Sequence, residues 1–216
     1  MATIKACIFD LDGVIVDTAI YHYKAWKRLA NHLGFDFTEE ENEKLKGVSR
    51  VRSLELILEW GGVSKSAEEQ KYLADLKNSW YVEMIQEMQP SEILPGAKEF
   101  LEAARAAGLK TALGSASKNS ETILQKVGLT NLFDVIIDGN KVSASKPNPE
   151  VFLKGAEALG IAPENCLVFE DALAGVQAAL AGGMKVIGIG TAQNLPGANV
   201  VVAGLHQVSI ELVQTV

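Results

Sequence analysis

Cysteine, histidine and positive charge are all scarce in this sequence, and each scarcity closes off a class of function. The two cysteines, Cys7 and Cys166, each lie inside an apolar run with no CxxC spacing. That pattern excludes a disulfide scaffold or a zinc ribbon and fits buried thiols in a reducing compartment. Of the 3 histidines, His32 and His206 belong to no constellation. Against 27 Asp and Glu stand only 20 Lys and Arg, a formal net charge of -7, whereas broad binding to nucleic acid or to an anionic membrane needs the opposite balance. Any phosphate site must therefore be basic locally. No stretch is apolar for long enough to make a signal peptide or a membrane span, and no repeat or low-complexity tract interrupts the chain. The cytoplasm is the expected setting and a monomer the expected form, with neither nucleic acid nor membrane as a partner.

What is present is an ordinary globular composition, 48% hydrophobic and 22% charged over 216 residues. That length allows one sizeable core, alone or with a smaller appended module. The run Ile4 to Leu11 is short and apolar and stops at Asp12 and Gly13, as a buried parallel strand does when it ends in a tight loop. Helical spacing follows: Ala25, Trp26, Leu29 and Leu33 up to a stop at Gly34, then Leu54, Ile57 and Leu58, then Leu73 to about Met88. No strand pattern occurs between Thr18 and Pro90. After Pro95 and Gly96 the pattern changes to alternating units. Helices are expected over Ala97 to Ala107, Ser120 to Val127, Pro149 to Leu159 and Ala172 to Ala181. Strands are expected over Lys110 to Gly114, Val135 to Ile137, Cys166 to Phe169 and Lys185 to Ile189.

Such alternation predicts an α/β fold with a doubly wound, Rossmann-like parallel sheet, which the first strand can join. The intervening helices then form a small all-helical cap inserted after that strand. The expected division is an α/β core of residues 1–16 and 92–216 and a cap of residues 17–91, with a Pro-Gly hinge near 90–96 as the return linker.

The polar residues that stand out all follow strands. Asp10 and Asp12 follow the first, Ser115 to Asn119 the second, Lys146 the third with its loop, and Glu170 and Asp171 the fourth. In a doubly wound sheet those loops meet beyond the carboxyl ends of the strands. The chain thus gathers four carboxylates, a lysine and a set of hydroxyls in one cleft. Two carboxylates 4 Å apart repel by about 1 kcal/mol in water and by several times that in a cleft of lower effective dielectric. A divalent cation relieves this, and oxygen-only ligands favour Mg2+ over zinc. One carboxylate could then attack phosphorus while the other serves as general acid and base. Ser115 and backbone N–H groups at the start of the next helix could hold the phosphoryl oxygens, and Lys146 adds a point charge. Each feature also has a plainer reading. The Asp pair could form a turn and helix cap, Lys146 could be a solvated loop lysine, and Glu170 and Asp171 could simply favour a helix N-terminus.

FDLDGVIVDT (Phe9 to Thr18), GSAS (Gly114 to Ser117), SKPNPEVF (Ser145 to Phe152) and FEDALAGVQAA (Phe169 to Ala179) resemble, in order and in spacing, the four motifs of the haloacid-dehalogenase-like superfamily. The resemblance implies Asp10 as nucleophile and Asp12 as acid/base. It implies Ser115, Ala116 and Lys146 on the transferring phosphate, and Asp10, Asp12, Glu170 and Asp171 around Mg2+. A second Asp in the first motif is similar to phosphatases and mutases, and unlike dehalogenases. In the cap, TAIYHYKAW (Thr18 to Trp26), LKGVSRVRSL (Leu45 to Leu54) and KNSWY (Lys77 to Tyr81), together with SASKN (Ser115 to Asn119) in the core, resemble the β-phosphoglucomutase branch.

That resemblance implies that His22 and Lys77 help position the acid/base, and that Thr18 is among the substrate-binding residues. Lys46, Gly47 and Ser53 would line the cap's substrate face, and Arg50, Ser117, Lys118 and Asn119 would hold a second phosphate. The implied reaction interconverts β-D-glucose 1-phosphate and glucose 6-phosphate through a bisphosphate. A mutase must accept a bisphosphorylated sugar in two orientations, and a bidentate Arg suits the distal group. A sugar-phosphate phosphatase using the same Asp pair, and a non-catalytic sugar-phosphate sensor, stay open on the residues alone. Trp26, Trp60 and Trp80 are expected in the cap core rather than as a stacking platform.

Overall fold

A computed structural model describes residues 3–216. Six strands form an all-parallel sheet: β1 (Ala6–Phe9), β2 (Lys110–Gly114), β3 (Val135–Ile137), β4 (Cys166–Glu170), β5 (Lys185–Ile189) and β6 (Val200–Val202). Their order is β3-β2-β1-β4-β5-β6, so the chain winds outward from β1 in both directions and β1 lies beside the point where the order reverses. β1 and β4 are apolar at nearly every position because they are central and covered on both faces.

On one face Phe9 stacks on Phe169 with ring centroids 4.7 Å apart, and Phe100 meets Phe169 edge-on at 5.2 Å. Ile8, Phe152, Val168 and Val176 fill the other face. Cys7 belongs to the first face and Cys166 to the second, because Cys166 sits opposite Ala6 in the register. Both thiols are free and buried, and the sheet itself separates them.

Five helices flank the sheet: α5 (Ala97–Ala106), α6 (Ser120–Val127), α7 (Glu150–Leu159), α8 (Leu173–Ala181) and α9 (Ile210–Thr215). Between β1 and α5 every regular element is a helix: α1 (Ala19–Leu33), α2 (Glu39–Glu43), α3 (Arg50–Trp60) and α4 (Ala67–Ile85), followed by a 3-10 turn at Pro90–Glu92. Gly34, at φ 93, closes α1 in the left-handed conformation expected of such a stop. Reciprocal capping boxes start α2 at Thr38 with Glu41 and α4 at Ser66 with Glu69. These helices enclose a cluster of their own around Trp26, Leu29, Phe37, Leu54, Ile57 and Leu73, with Trp80 packed against it. Trp26 and Trp80 thus fall in the cap core as expected, while Trp60 stays 38% exposed.

The two segments joining cap to sheet run side by side: Leu94 N–H donates to Ile15 O at 2.9 Å, and Val16 bridges Ile93. Expectation and structure differ at the edges. β1 is shorter than Ile4 to Leu11 because the chain leaves the sheet at Asp10, and β6 and α9 extend the expected alternation. Among the described residues no helix is long and apolar enough to cross a membrane.

Candidate active site

Asp10, Ser115, Asp138 and Glu170 stand at the carboxyl ends of β1, β2, β3 and β4, four neighbouring strands. Asp10 has already left the sheet, so the spacing of two to Asp12 does not force both side chains onto one sheet face. Close packing completes the cluster. A Cβ on Gly13, at φ 79, would lie 2.2 Å from Asp171 Oδ2, and one on Gly175 would lie 2.0 Å from Glu170 Oε2. Only glycine lets the first loop and α8 approach those carboxylates.

Lys146 Nζ donates to Asp10 Oδ1 at 2.5 Å and to Glu170 Oε2 at 2.8 Å, with its side chain 1% exposed. Burial pulls its pKa down, and the two carboxylates more than offset this, so the net shift is upward. Glu170 Oε1 also accepts from Ala172 N–H at 3.0 Å. Burial and the Asp10 charge raise the Glu170 carboxyl to about 7 against the opposing pull of Lys146. Asp171 is pushed well above the usual carboxylate range, first by burial and then by Glu170 and Asp10. Its nearest cation is Lys46, at 3.8 Å and shared with Glu43.

Carboxylate oxygens of Asp10, Glu170 and Asp171 lie within 4.8 Å of one another. This oxygen-only set, in which Asp171 has only a long ion pair to Lys46 at 3.8 Å, fits a hard divalent ion such as Mg2+. The Asp12 carboxylate is not part of that group. It accepts a short hydrogen bond from Thr18 Oγ1, and burial followed by the Asp10 charge raises it to about 6. A carboxyl near neutrality suits a group that must give and take a proton.

Beside Asp12 lies a second buried set. Lys77 Nζ is 3.1 Å from His22 Nδ1 and 4.4 Å from the Trp26 ring centre. The His22 ring packs on Tyr81 at 4.3 Å. Burial, then the charges of Lys77 and Arg50, hold His22 well below its usual pKa, and burial followed by the Arg50 charge likewise holds Lys77 well below its own.

A cavity of about 820 Å³ lies between cap and core. Asp10, Asp12, Thr18, His22, Lys46, Gly47, Arg50, Ser53 and Lys77 line it, as do Ala116, Ser117, Lys118, Asn119, Lys146 and Asp171. Ser115 and Glu170 are fully buried behind the wall. Ser115 Oγ accepts from Ser117 N–H at 3.1 Å, and Ser117 Oγ accepts from Asn119 N–H at 3.2 Å, so two serine turns shape this loop. The structure therefore places each candidate site residue in the cavity lining or, for Ser115 and Glu170, buried behind it.

A family model described as haloacid dehalogenase-like hydrolase matches residues 4–183. The chain belongs to this family. It is 39% identical over 211 residues to a β-phosphoglucomutase of Bacillus subtilis (strain 168), covering 96% of this chain and 93% of the relative. It is 32% identical to a phosphorylated carbohydrates phosphatase of Thermotoga maritima, covering 85% and 83%. The crystal structure of a β-phosphoglucomutase from Clostridium difficile matches at a TM-score of 0.94 with 44% identity, over 98% of this chain and 96% of that one.

Three features of this family member's cleft escaped the sequence reading. Asn42 and Asn78 line the cavity from the cap. Glu150 Oε2 accepts from Ser143 N–H, Ser143 Oγ and Ala144 N–H at 2.7–2.9 Å, fixing the loop that carries Lys146. Asn78 adjoins Lys77 in KNSWY and was within reach of that motif. Glu150 carries no signal beyond its place in SKPNPEVF.

Proposed function

We propose that this protein is a Mg2+-dependent β-phosphoglucomutase acting in the cytoplasm as a monomer, on small hexose phosphates and on neither nucleic acid nor membranes. It interconverts β-D-glucose 1-phosphate and glucose 6-phosphate through an aspartyl-phosphate enzyme and β-glucose 1,6-bisphosphate, and residues 17–91 form the moving cap. The observation that carries this reading is a single cavity with transfer chemistry in the core and spare cationic groups facing it. Lys146 is committed to Asp10 and Glu170, whereas Arg50 lines the same cavity with Asp75 as its leading favourable charge. Arg50, Ser117, Lys118 and Asn119 supply donors for a phosphate that is not being transferred.

With Asp10 carrying the phosphoryl group, Asp12 takes the proton of the C6 hydroxyl of β-glucose 1-phosphate, which attacks the phosphorus; the bisphosphate forms as the Asp10 O–P bond breaks and Asp10 is released as a carboxylate. With the bisphosphate turned end for end, Asp10 attacks the phosphorus on O1, its O–P bond forms as the P–O1 bond breaks, and Asp12 gives its proton to the departing sugar oxygen, leaving glucose 6-phosphate. Lys146 faces the equatorial oxygens, and Ser115, from behind the wall, shapes the loop whose backbone N–H groups hold them. Asp10, Glu170 and Asp171 would hold Mg2+, with Asp12 beside them; when bound, it supplies charge neutralisation for the transferring group. The His22–Lys77 pair faces Asp12 from the cap, so closing the cap orients the acid and excludes water.

The test is a coupled dehydrogenase assay for glucose 6-phosphate, started with β-glucose 1-phosphate and primed with the bisphosphate. Absence of glucose 6-phosphate would sink the mutase reading. The phosphatase relative supports a second reading, hydrolysis of a hexose phosphate by the same Asp pair, and inorganic phosphate released in excess of isomerised sugar would establish it.

A further inference from the structure

Asn119 Nδ2 donates to Asn78 Oδ1 at 3.0 Å. The other short polar links between cap and core, Thr18 to Asp12 and Tyr21 to Glu92, lie at the connecting segments. Lys46 to Asp171, across the cavity, is long at 3.8 Å. Among the described residues the amide pair is therefore the link at hydrogen-bond distance that spans the cleft away from the hinge.

Each partner is fixed on its own side. Asn119 precedes α6, and its N–H is held by Ser117 Oγ at 3.2 Å. The loop is pinned further by Gly139 N–H on Ser117 O at 3.1 Å and Asn140 Nδ2 on Lys118 O at 3.0 Å. Asn78 lies on α4, one residue after Lys77, which reaches His22 at 3.1 Å. A helix transmits displacement as a rigid rod, so a shift of Asn78 is a shift of Lys77.

We propose that Asn78 is a positioning residue that couples the Ser117–Asn119 loop to the cap, so that an anion on this loop sets α4, and with it the Lys77–His22 pair, over the acid/base carboxyl. This rests on the reading of that loop as the seat of the second phosphate. Asn119 keeps a free amide oxygen and a second N–H, and Asn78 keeps its NH2, so both can stay linked while one of them meets the anion. A substrate whose single phosphate is the one being transferred leaves the loop empty and gains nothing from the link. A bisphosphorylated one engages it.

The experiment measures kcat/KM for phosphate release from a hexose bisphosphate and from p-nitrophenyl phosphate, which carries no second phosphate, in the parent, Asn78→Ala, Asn119→Ala and the double variant. Preference for the bisphosphate is expected to fall about five- to tenfold in Asn78→Ala, the factor carried by one net hydrogen bond, with p-nitrophenyl phosphate turnover unchanged. The double variant is expected to fall no further than Asn119→Ala. An unchanged preference in Asn78→Ala, equal loss on both substrates, or additive effects in the double variant would each overturn the proposal. The readout does not depend on isomerisation, so a protein that makes no glucose 6-phosphate yet loses its preference in Asn78→Ala defeats the mutase reading and leaves the coupling standing.

Discussion

Lys146 Nζ stands between two buried carboxylates, 2.5 Å from Asp10 Oδ1 and 2.8 Å from Glu170 Oε2. The same amine thus holds the Asp10 carboxylate in place and neutralises the residue behind it. Its partners sit 136 and 24 residues away along the chain, so the link exists only because β1, β4 and the loop after β3 end at one edge of the sheet.

Lys146→Met is expected to destabilise the fold by about 3–5 kcal/mol, because it strands two buried carboxylates rather than removing a balanced pair. Phosphoryl transfer should fall by about 10²–10³, as when one preorganised donor is lost from a transition state. Urea unfolding and single-turnover kinetics give the two values. A variant as stable as the parent would mean that water or a cation already compensates those charges.

Asp171 lies between Glu170 and Asp10 in charge terms, with Lys46 3.8 Å away. Asp171→Asn removes one like charge, so without metal the variant should melt at least as high as the parent. Addition of Mg2+ should raise the parent's melting temperature, by the equivalent of about 2.7 kcal/mol at a hundredfold excess over Kd, and should barely move the variant. A full Mg2+ shift in Asp171→Asn would remove this carboxylate from the ligand set.

Glu150 is held low, at about 2 against the usual 4.5, first by Lys154 and then by Ala144 N–H and Ser143. A folded-state pKa below the unfolded one means that the unfolded chain binds protons first as pH falls. The contribution is therefore complete above about 4.5 and is lost as pH drops toward about 2. The difference in melting temperature between the parent and Glu150→Gln should be constant from pH 7 to 5 and shrink below that. A difference that grew on acidification would reverse the sign and refute the clamp on the 143–145 loop.

The parallel sheet and the place of the cleft were legible because burial writes itself into sequence: β1 and β4 are apolar runs, and a change from helical spacing to alternation marks where the sheet resumes. The chemistry was legible because it follows strand ends. β6 escaped because Val200–Val202, a three-residue edge strand, had no expected helix after it to mark it as part of the alternation, whereas the equally short edge strand β3 lies between two expected helices. Asn78 and Glu150 escaped for another reason. Their partners, 41 residues away in the first case and in an irregular loop in the second, are brought together by tertiary packing that no periodicity encodes.

Arg50 offers the sharpest separation of the two functional readings. It begins α3, faces the cavity, and burial lowers its pKa while Asp75 raises it; in this setting a guanidinium stays charged. If it grips the phosphate that is not transferred, its loss weakens every step in which the sugar carries two phosphates or must be held by one while reacting at the other end. Hydrolysis of a small phosphoryl donor needs none of these. Arg50→Ala should therefore lower isomerisation by about 10²-fold or more, the scale of a lost charge-assisted pair of about 3 kcal/mol, while p-nitrophenyl phosphate hydrolysis stays within about threefold. Arg50→Lys should recover only part of the loss, since an ammonium supplies charge without the bidentate fork. Parallel declines in isomerisation and hydrolysis, measured on the same preparation, would show that Arg50 acts on the transferring phosphate or on cap folding, and the cavity would then hold one phosphate site instead of two.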